Sequence, residues 1–331
     1  MSLVRPAPSP RVSVIVPVRD RRDLLRRMLD ALAAQTLTDH EIIVVDDGSE
    51  DGSGDEARQD AALGRPVKVV AGGGAGAVAA RRLGVSHAKA GLLAFTDSDC
   101  VPEPGWLAAG VAAIEQGADL AQGVTRALRP PRPLERCVQA PTEDGLYQTC
   151  NVFYRRTAYD AAAGFDISAG KRLGFRPGSR LRGLGFGEDV LLGWQVRRSG
   201  RAAFAPDAVV AHHVFPVDVV ESLRRAWTAG AFPSLVREVP ELRQTLLLDG
   251  LVLGGRPRLA LYAAALAFLA RRDGVATAAL VIWVGARLRR VAQLEPSWTR
   301  RATVLPVDLT LDAVSAIALA AGSMRARRLV L

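Results

Sequence analysis

"LLAFTDSDC", residues 92 to 100, decides how the first half of the chain is read. Leu92 to Phe95 is a short apolar run of the kind that forms a buried strand, and it is followed by Asp97 and Asp99 with Ser98 between them. Alternation along an extended chain sends residues two apart to the same side, so both carboxylates are expected to face one point where the strand leaves the core. Two anions that close repel unless a cation lies between them, and an oxygen-rich pair suits Mg2+ or Mn2+. A polar turn closing a strand is the plainer alternative, because Asp and Ser are ordinary turn residues.

The same pattern recurs upstream. "VSVIVPV" (12 to 18), "EIIVVDD" (41 to 47) and "VKVVA" (67 to 71) read as strands, and "RRDLLRRMLDALAAQ" (21 to 35) and "GAVAARRLGVSHA" (76 to 88) have helical spacing. Strand–helix alternation with continuously apolar strands predicts an α/β fold with a mostly parallel, Rossmann-like sheet covered by helices. Ligands of such sheets bind outside the carboxyl ends of the strands, where Arg19 and Asp20, Asp46 and Asp47, and Asp97 and Asp99 fall.

Downstream, the proline-rich "RPPRPLE" (129 to 135) marks a loop or boundary, and "TCNVFYRR" (149 to 156) reads as one more strand. The Gly- and Arg-rich segment 169 to 189 is too long for a tight connection, and loops of that size are usually functional. It runs into "EDVLLGWQVRRSG", a helix with Glu188 and Asp189 in its first turn. The expected organisation is a tail (1–10), an α/β domain (11–215, with one half to 100 and a second from 101) and a helical C-terminal extension (216–331).

Composition narrows the class. The chain is 49% hydrophobic but only 5% aromatic, an aliphatic excess that excludes disorder for most of it. Its net charge of +9 suits nucleic acid, an anionic membrane surface or anionic substrates. The arginines cluster at 21, 22, 26 and 27, at 271 and 272, at 287, 289 and 290, and at 325, 327 and 328. Several clusters bracket apolar segments rather than interleaving with aromatics, which favours a membrane surface over nucleic acid. "LALYAAALAFLA" (259 to 270) and "VATAALVIWVGA" (275 to 286) are each shorter than the ~20 residues of a bilayer span. They read as a hairpin at a membrane surface, or as a soluble appendage joined by 308 to 322 that packs on the catalytic domain or forms a homodimer contact. Cys100, Cys137 and Cys150 cannot all pair with one another, and "MSLVRPAPSPR" has no apolar signal core; the expected location is cytoplasmic, peripheral at the inner face of the cell membrane.

"VSVIVPVRD", "EIIVVDDGSEDGS", "AARRLGVSHAKAGLLAFTDSD" and "FGEDVLLGWQVRRSG", in this order and spacing, resemble a family 2 glycosyltransferase of the GT-A fold over residues 11 to 215. The resemblance implies an inverting sugar transfer from a nucleoside-diphosphate sugar, a UDP-sugar first, to an acceptor hydroxyl. It implies a divalent metal, Mg2+ or Mn2+, on the Asp-x-Asp motif of Asp97 and Asp99, with His212 of "PDAVVAHHV" completing the shell and His213 as the alternative. Asp189 matches the base and Glu188 orients it or contacts the acceptor. The second aspartate of Asp46 and Asp47 is implied to contact the nucleotide base, in a pocket lined by Pro17, Val18 and Arg19, with Arg81 and Ser98 near the nucleotide. The chemistry is coherent: a diphosphate needs its charge neutralised, and an acceptor hydroxyl needs a carboxylate to take its proton. The Gln-x-x-Arg-Trp motif of processive synthases is missing, "SLRRAWTAG" (222 to 230) being only loosely similar, so a single-transfer enzyme is expected.

Two rival enzyme classes share parts of the pattern. Gly74, Gly76 and Ala79 satisfy G-x-G-x-x-A between a strand and a helix, with Asp97 about twenty residues on, as in an NAD- or FAD-dependent oxidoreductase. That fold gives no reason for Asp99 beside Asp97. A sugar nucleotidyltransferase would use a related sheet and a metal, and a non-catalytic module of the same fold would have no need of Asp97, Asp99 and Asp189.

Overall fold

Seven consecutive buried residues, Val12–Val18, form β1 at the centre of the parallel half of the sheet. The structure, a computed structural model, describes residues 9–176 and 185–331. The strands in chain order are β1, β2 (His40–Asp46), β3 (Val67–Ala71), β4 (Leu92–Phe95), β5 (Cys100–Pro102), β6 (Leu120–Ala127), β7 (Glu135–Arg136), β8 (Val152–Arg155), β9 (Ala202–His212) and β10 (Phe215–Pro216). The described residues form two compact units, one from those within Met1–Leu128, Val138–Ile167 and Gly183–His213, the other from the remainder.

The first unit holds an eight-stranded sheet in the order β3-β2-β1-β4-β8-β6-β9-β5. Its first four strands are parallel, as their unbroken apolar runs led one to expect. Beyond β4 the sheet is mixed: β8 is antiparallel to both β4 and β6, β9 is parallel to β6, and β5 is antiparallel to β9. The segment "GSEDGS" turns as its composition suggests only as far as Gly52, and a helix, Ser53–Ala62, then starts inside it, anchored by buried Ala57.

Close packing explains a glycine that no turn requires. Gly110 lies mid-helix in Trp106–Glu115, and a Cβ there would collide with the ring of Phe153, itself buried against Trp106 at a centroid distance of 5.0 Å. Gly110→Ala gains about 1 kcal/mol of helix propensity, but overpacking of this kind costs about 1–3 kcal/mol. The net expectation is a lower denaturant midpoint; an unchanged or raised midpoint would show that the ring moves aside without cost.

The second unit pairs β7 with β10 and is otherwise helical. Asp218 caps Val219–Thr228 by accepting from the Glu221 amide at 2.7 Å. The apolar runs expected at 259 to 270 and 275 to 286 are helices Pro257–Leu269 and Asp273–Leu294, the second reaching 22 residues because its arginine-rich end stays helical. Residues 308 to 322 belong to a 29-residue helix, Trp298–Ala326, the one helix among the described residues long and apolar enough to cross a membrane by length and composition. Its inner face is committed to this unit. Gly322 packs so closely on the Gly230 carbonyl that no side chain would fit, and Asp312 accepts from Arg258 at 2.7 Å and from the Trp283 indole at 2.9 Å.

Candidate active site

The carboxyl ends of β1, β2 and β4 bring three acid-bearing turns to one edge of the sheet. At the third, β4 stops at Phe95 and the Cys100 amide donates to the Asp97 carbonyl at 3.0 Å, closing a tight turn. Strand alternation therefore does not carry through the Asp-Ser-Asp triplet, and the two carboxylates take different partners. Asp97 Oδ1 lies 2.5 Å from Nη2 of Arg81, a buried arginine of helix Ala77–His87. Asp99 Oδ1 lies 3.6 Å from His212 Nε2, and its Oδ2 lies 3.7 Å from Nη1 of Arg21.

Among the described residues, Asp99, Cys100 and His212 form a group whose ligand atoms all lie within 4.8 Å of one another; Asp97 and His213 are not in it. The pairing of β5 with β9 sets Cys100 directly opposite His212. His212 Nδ1 lies 2.7 Å from the His213 carbonyl, which can only accept, so in the neutral ring Nδ1 carries the proton and Nε2 presents its lone pair towards Asp99. A ring oriented in that way by a backbone carbonyl is the usual arrangement of a metal-ligating histidine. The carboxylate and the imidazole suit a divalent cation, while burial raises the pKa of the Cys100 thiol well above its ordinary value and so leaves it a poor ligand.

Helix Glu188–Ser199 starts after Gly187 in a left-handed conformation, φ 80°, and delivers the second carboxylate pair. Glu188 is only 6% exposed, a Cβ on Gly185 would clash with its carboxylate, and its Oε2 has no hydrogen-bond partner among the described residues. Burial raises its pKa, with Arg81 opposing and Asp97 adding to the rise. Asp189 keeps part of its surface exposed, yet desolvation and then the neighbouring Glu188 push its pKa well above the ordinary Asp range, against the Val190 amide that its Oδ1 accepts at 2.9 Å. Arg81 stays cationic although burial opposes its charge, because Asp97, Glu188 and Asp189 more than offset that cost. Tyr154, whose buried hydroxyl has no hydrogen-bond partner among the described residues, is pushed well up by burial and by Asp189.

At the first two turns the acids shape backbone. Asp46 Oδ1 accepts from the Ser49 amide at 2.9 Å, and buried Asp47 accepts from the amides of Ala75 at 2.9 Å and Gly76 at 2.7 Å. Asp20 accepts from the Glu50 amide at 2.8 Å, tying the turn after β1 to the turn after β2. Pro17, Val18 and Ser98 are buried and Arg19 is exposed. The dinucleotide reading fails on this geometry. The amides of the Gly74–Gly76 loop that would cradle a pyrophosphate are held by the Asp47 carboxylate, and Asp97 is paired with Arg81 rather than placed for a ribose.

Two residues at this edge were not picked out from the sequence as part of the site. Arg21 was legible only as one of a basic cluster, although it directly follows the "PVRD" end of β1. Cys100 was weighed only as an unpaired thiol, and nothing short of the β5–β9 register could have set it against His212. Of the segment 169 to 189, expected to be a functional loop, Ala169–Arg172 is a short helix and residues 177–184 lie outside the described residues, as do 1–8 of the tail.

A parallel sheet edge of acid-ended turns, with a Glu-Asp pair opening a later helix, is the arrangement of a GT-A type fold. Residues 13–159 match the family model described as glycosyl transferase family 2. It is 36% identical over 118 residues to the glycosyltransferase AglE of Haloferax volcanii, covering 34% of this chain and 39% of that protein. It is 35% identical over 89 residues to the glycosyltransferase GlyA of Streptococcus pneumoniae, covering 27% of this chain and 13% of that one. The matches thus span well under half the length of these relatives. In fold, the chain is similar to the mannosyltransferase PcManGT of Pyrobaculum calidifontis in complex with GDP-Man and Mn2+, with a TM-score of 0.55 at 19% identity over 94% of this chain and 88% of that one. It is also similar to S. aureus TarS 1-349 in complex with UDP-GlcNAc, with a TM-score of 0.50 at 16% identity over 96% and 92%.

Proposed function

We propose that this chain is an inverting, metal-dependent glycosyltransferase that moves one sugar per encounter from a nucleoside-diphosphate sugar to an acceptor hydroxyl. The observation that carries the reading is the buried Arg81. Its guanidinium joins the Asp97 turn, at the nucleotide edge of the sheet, to the Glu188–Asp189 pair that would meet the acceptor. The turns ending in Pro17 to Arg19 and in Asp46 and Asp47, with Arg81, Asp97 and Ser98, form the donor pocket in this reading. Asp99 and His212 would hold Mg2+ or Mn2+, and a cation bound there supplies positive charge for the donor diphosphate and for the leaving group.

Asp189 accepts the proton as the acceptor oxygen bonds to the anomeric carbon and the bond to the diphosphate breaks. Its raised proton affinity suits that task, because a base works best with a pKa near the operating pH. Glu188, sunk beside it, positions the helix start and tunes Asp189 by like charge. Single transfer is supported by the helix Val219–Thr228, which carries Arg224, Arg225 and an exposed Trp227 in place of the processive motif.

The neighbours of this fold that bind GDP-Man and UDP-GlcNAc make the donor base an open choice, with a UDP-sugar the first to try. The test is a melting screen across UDP-, GDP- and dTDP-sugars with and without Mn2+. A true donor at ~100 times its Kd should raise Tm on the order of 5–10 °C in Mn2+. No shift with any nucleotide sugar, or a shift with NAD(P) or FAD instead, would overturn the reading.

A further inference from the structure

The helical hairpin Pro257–Leu269 and Asp273–Leu294 is packed inside out. Its buried positions are mostly alanines, Ala264, Ala267, Ala276 and Ala279, joined by Trp283 and Val291. Its large apolar side chains point outward: Leu266, Phe268, Leu269, Val275, Val281 and Ile282 are all exposed, Phe268 at 69% and Leu269 at 76%. A helix at the surface of a water-soluble domain does the reverse, burying its large apolar stripe. Small residues between helices and large ones outward is the packing of helices whose surroundings are lipid.

Charge identifies the surroundings further. Residues 256 to 301 contain nine arginines against one aspartate and one glutamate. Arg258 and Arg287 turn inward to Asp312 and Asp308, while Arg271 and Arg272 sit exposed at the hairpin turn and Arg289 and Arg290 are exposed towards the other end. At that end, a groove of about 560 Å³ is lined by Arg129, Pro130, Pro131, Arg132, Gln293 and Leu294. The apolar face is therefore rimmed by cations. A second copy of the chain would bring the same cationic rim against it in a twofold contact, where like charges repel. Anionic headgroups complement both the rim and the face.

Length excludes a span for the first helix, and Arg287, Arg289 and Arg290 within the 22 residues of the second argue against one there. Thirteen helical residues reach about 20 Å, short of the ~30 Å hydrocarbon core, so the first helix does not span it. We propose that the hairpin lies in the plane of an anionic membrane surface, with Leu266, Phe268, Val281 and Ile282 in the acyl boundary and Arg271, Arg272, Arg289 and Arg290 on lipid phosphates. This docking is independent of the donor chemistry, and its test uses no nucleotide.

The experiment is flotation of the full chain with phosphatidylcholine vesicles, with or without about 30% phosphatidylglycerol, at roughly 50 mM salt and again at higher salt, where screening weakens exposed charge attraction. Binding is expected with the anionic vesicles and should fall as salt rises. Reversing two rim charges, Arg271→Glu with Arg272→Glu, should weaken it by at least about 25-fold, at ~1 kcal/mol or fivefold per residue lost. Phe268→Glu with Ile282→Glu, both at exposed positions, should abolish it with no loss of Tm. Absence of flotation at low salt would overturn the proposal. So would a concentration-dependent dimer that the Phe268→Glu, Ile282→Glu variant dissociates, since the face would then be a self-interface.

Discussion

Asp189→Asn is expected to lower sugar transfer about 10²- to 10⁴-fold, the usual worth of a positioned acid or base, while nucleotide and metal affinity stay nearly unchanged. The amide keeps the shape of the carboxylate and removes the proton acceptor. Asp189 also has no part in the group of Asp99, Cys100 and His212. Stability supplies a second readout. Burial and Glu188 make Asp189 hold its proton more tightly in the folded than in the unfolded chain. The folded state therefore binds the extra proton, and its stability falls as pH rises from the ordinary Asp range through the raised value. The Asn variant escapes that loss and should melt higher than wild type at neutral and alkaline pH, by about 2–4 °C for each kcal/mol relieved, with the gap closing in acid. A variant that is more stable and inactive would mark a group kept for chemistry at a cost to folding. Near-normal transfer by the Asn variant would end the assignment of Asp189 as the base. A product that NMR shows to retain the anomeric configuration of the donor would end the inverting mechanism.

Asp99→Asn should weaken binding of a nucleoside diphosphate by about tenfold or more in Mn2+, or 1.4 kcal/mol, and leave binding in EDTA unchanged. Asp97→Asn separates from it, because the two carboxylates do different work. Asp97 is the hydrogen-bonded partner of buried Arg81, and removing its charge leaves that guanidinium without its 2.5 Å ion pair. The result should be a lower Tm in the absence of any ligand, smaller than the ~3–5 kcal/mol of a fully buried broken pair because the Asp97 side chain is 26% exposed. Asp99 lies 3.6 Å from His212 Nε2 and 3.7 Å from Arg21 Nη1, and its variant is read out by the nucleotide affinity in Mn2+ rather than by Tm. Equal nucleotide affinity in Mn2+ and EDTA for wild type and for the Asp99 variant would remove the metal site.

Local pattern alone was enough for β1 to β4 and for helices Arg22–Ala33 and Ala77–His87, though not for Ser53–Ala62, because an apolar run bounded by turn residues can do little but form a buried strand, and helical spacing declares its own face. It was also enough to put Asp46, Asp47, Asp97 and Asp99 at strand ends and Glu188 and Asp189 at a helix start. Non-local contacts decided the rest. Strand alternation promised a common target for Asp97 and Asp99, but the turn closed by the Cys100 amide sends one carboxylate to Arg81 and the other towards His212. The three residues of β5 are too few to announce a strand, yet their pairing with β9 is what sets Cys100 opposite His212, more than a hundred residues away. The raised proton affinity of Asp189 has no trace in "GED", since it comes from water excluded by the folded chain and from a neighbouring charge. The composition of residues 257 to 294 admitted either a buried appendage or a membrane surface, and only the packing of alanines inward showed which side chains face out. Sequence periodicity states which residues share a face; which face meets protein, and which acids lose their water, is settled by what the rest of the chain brings against them.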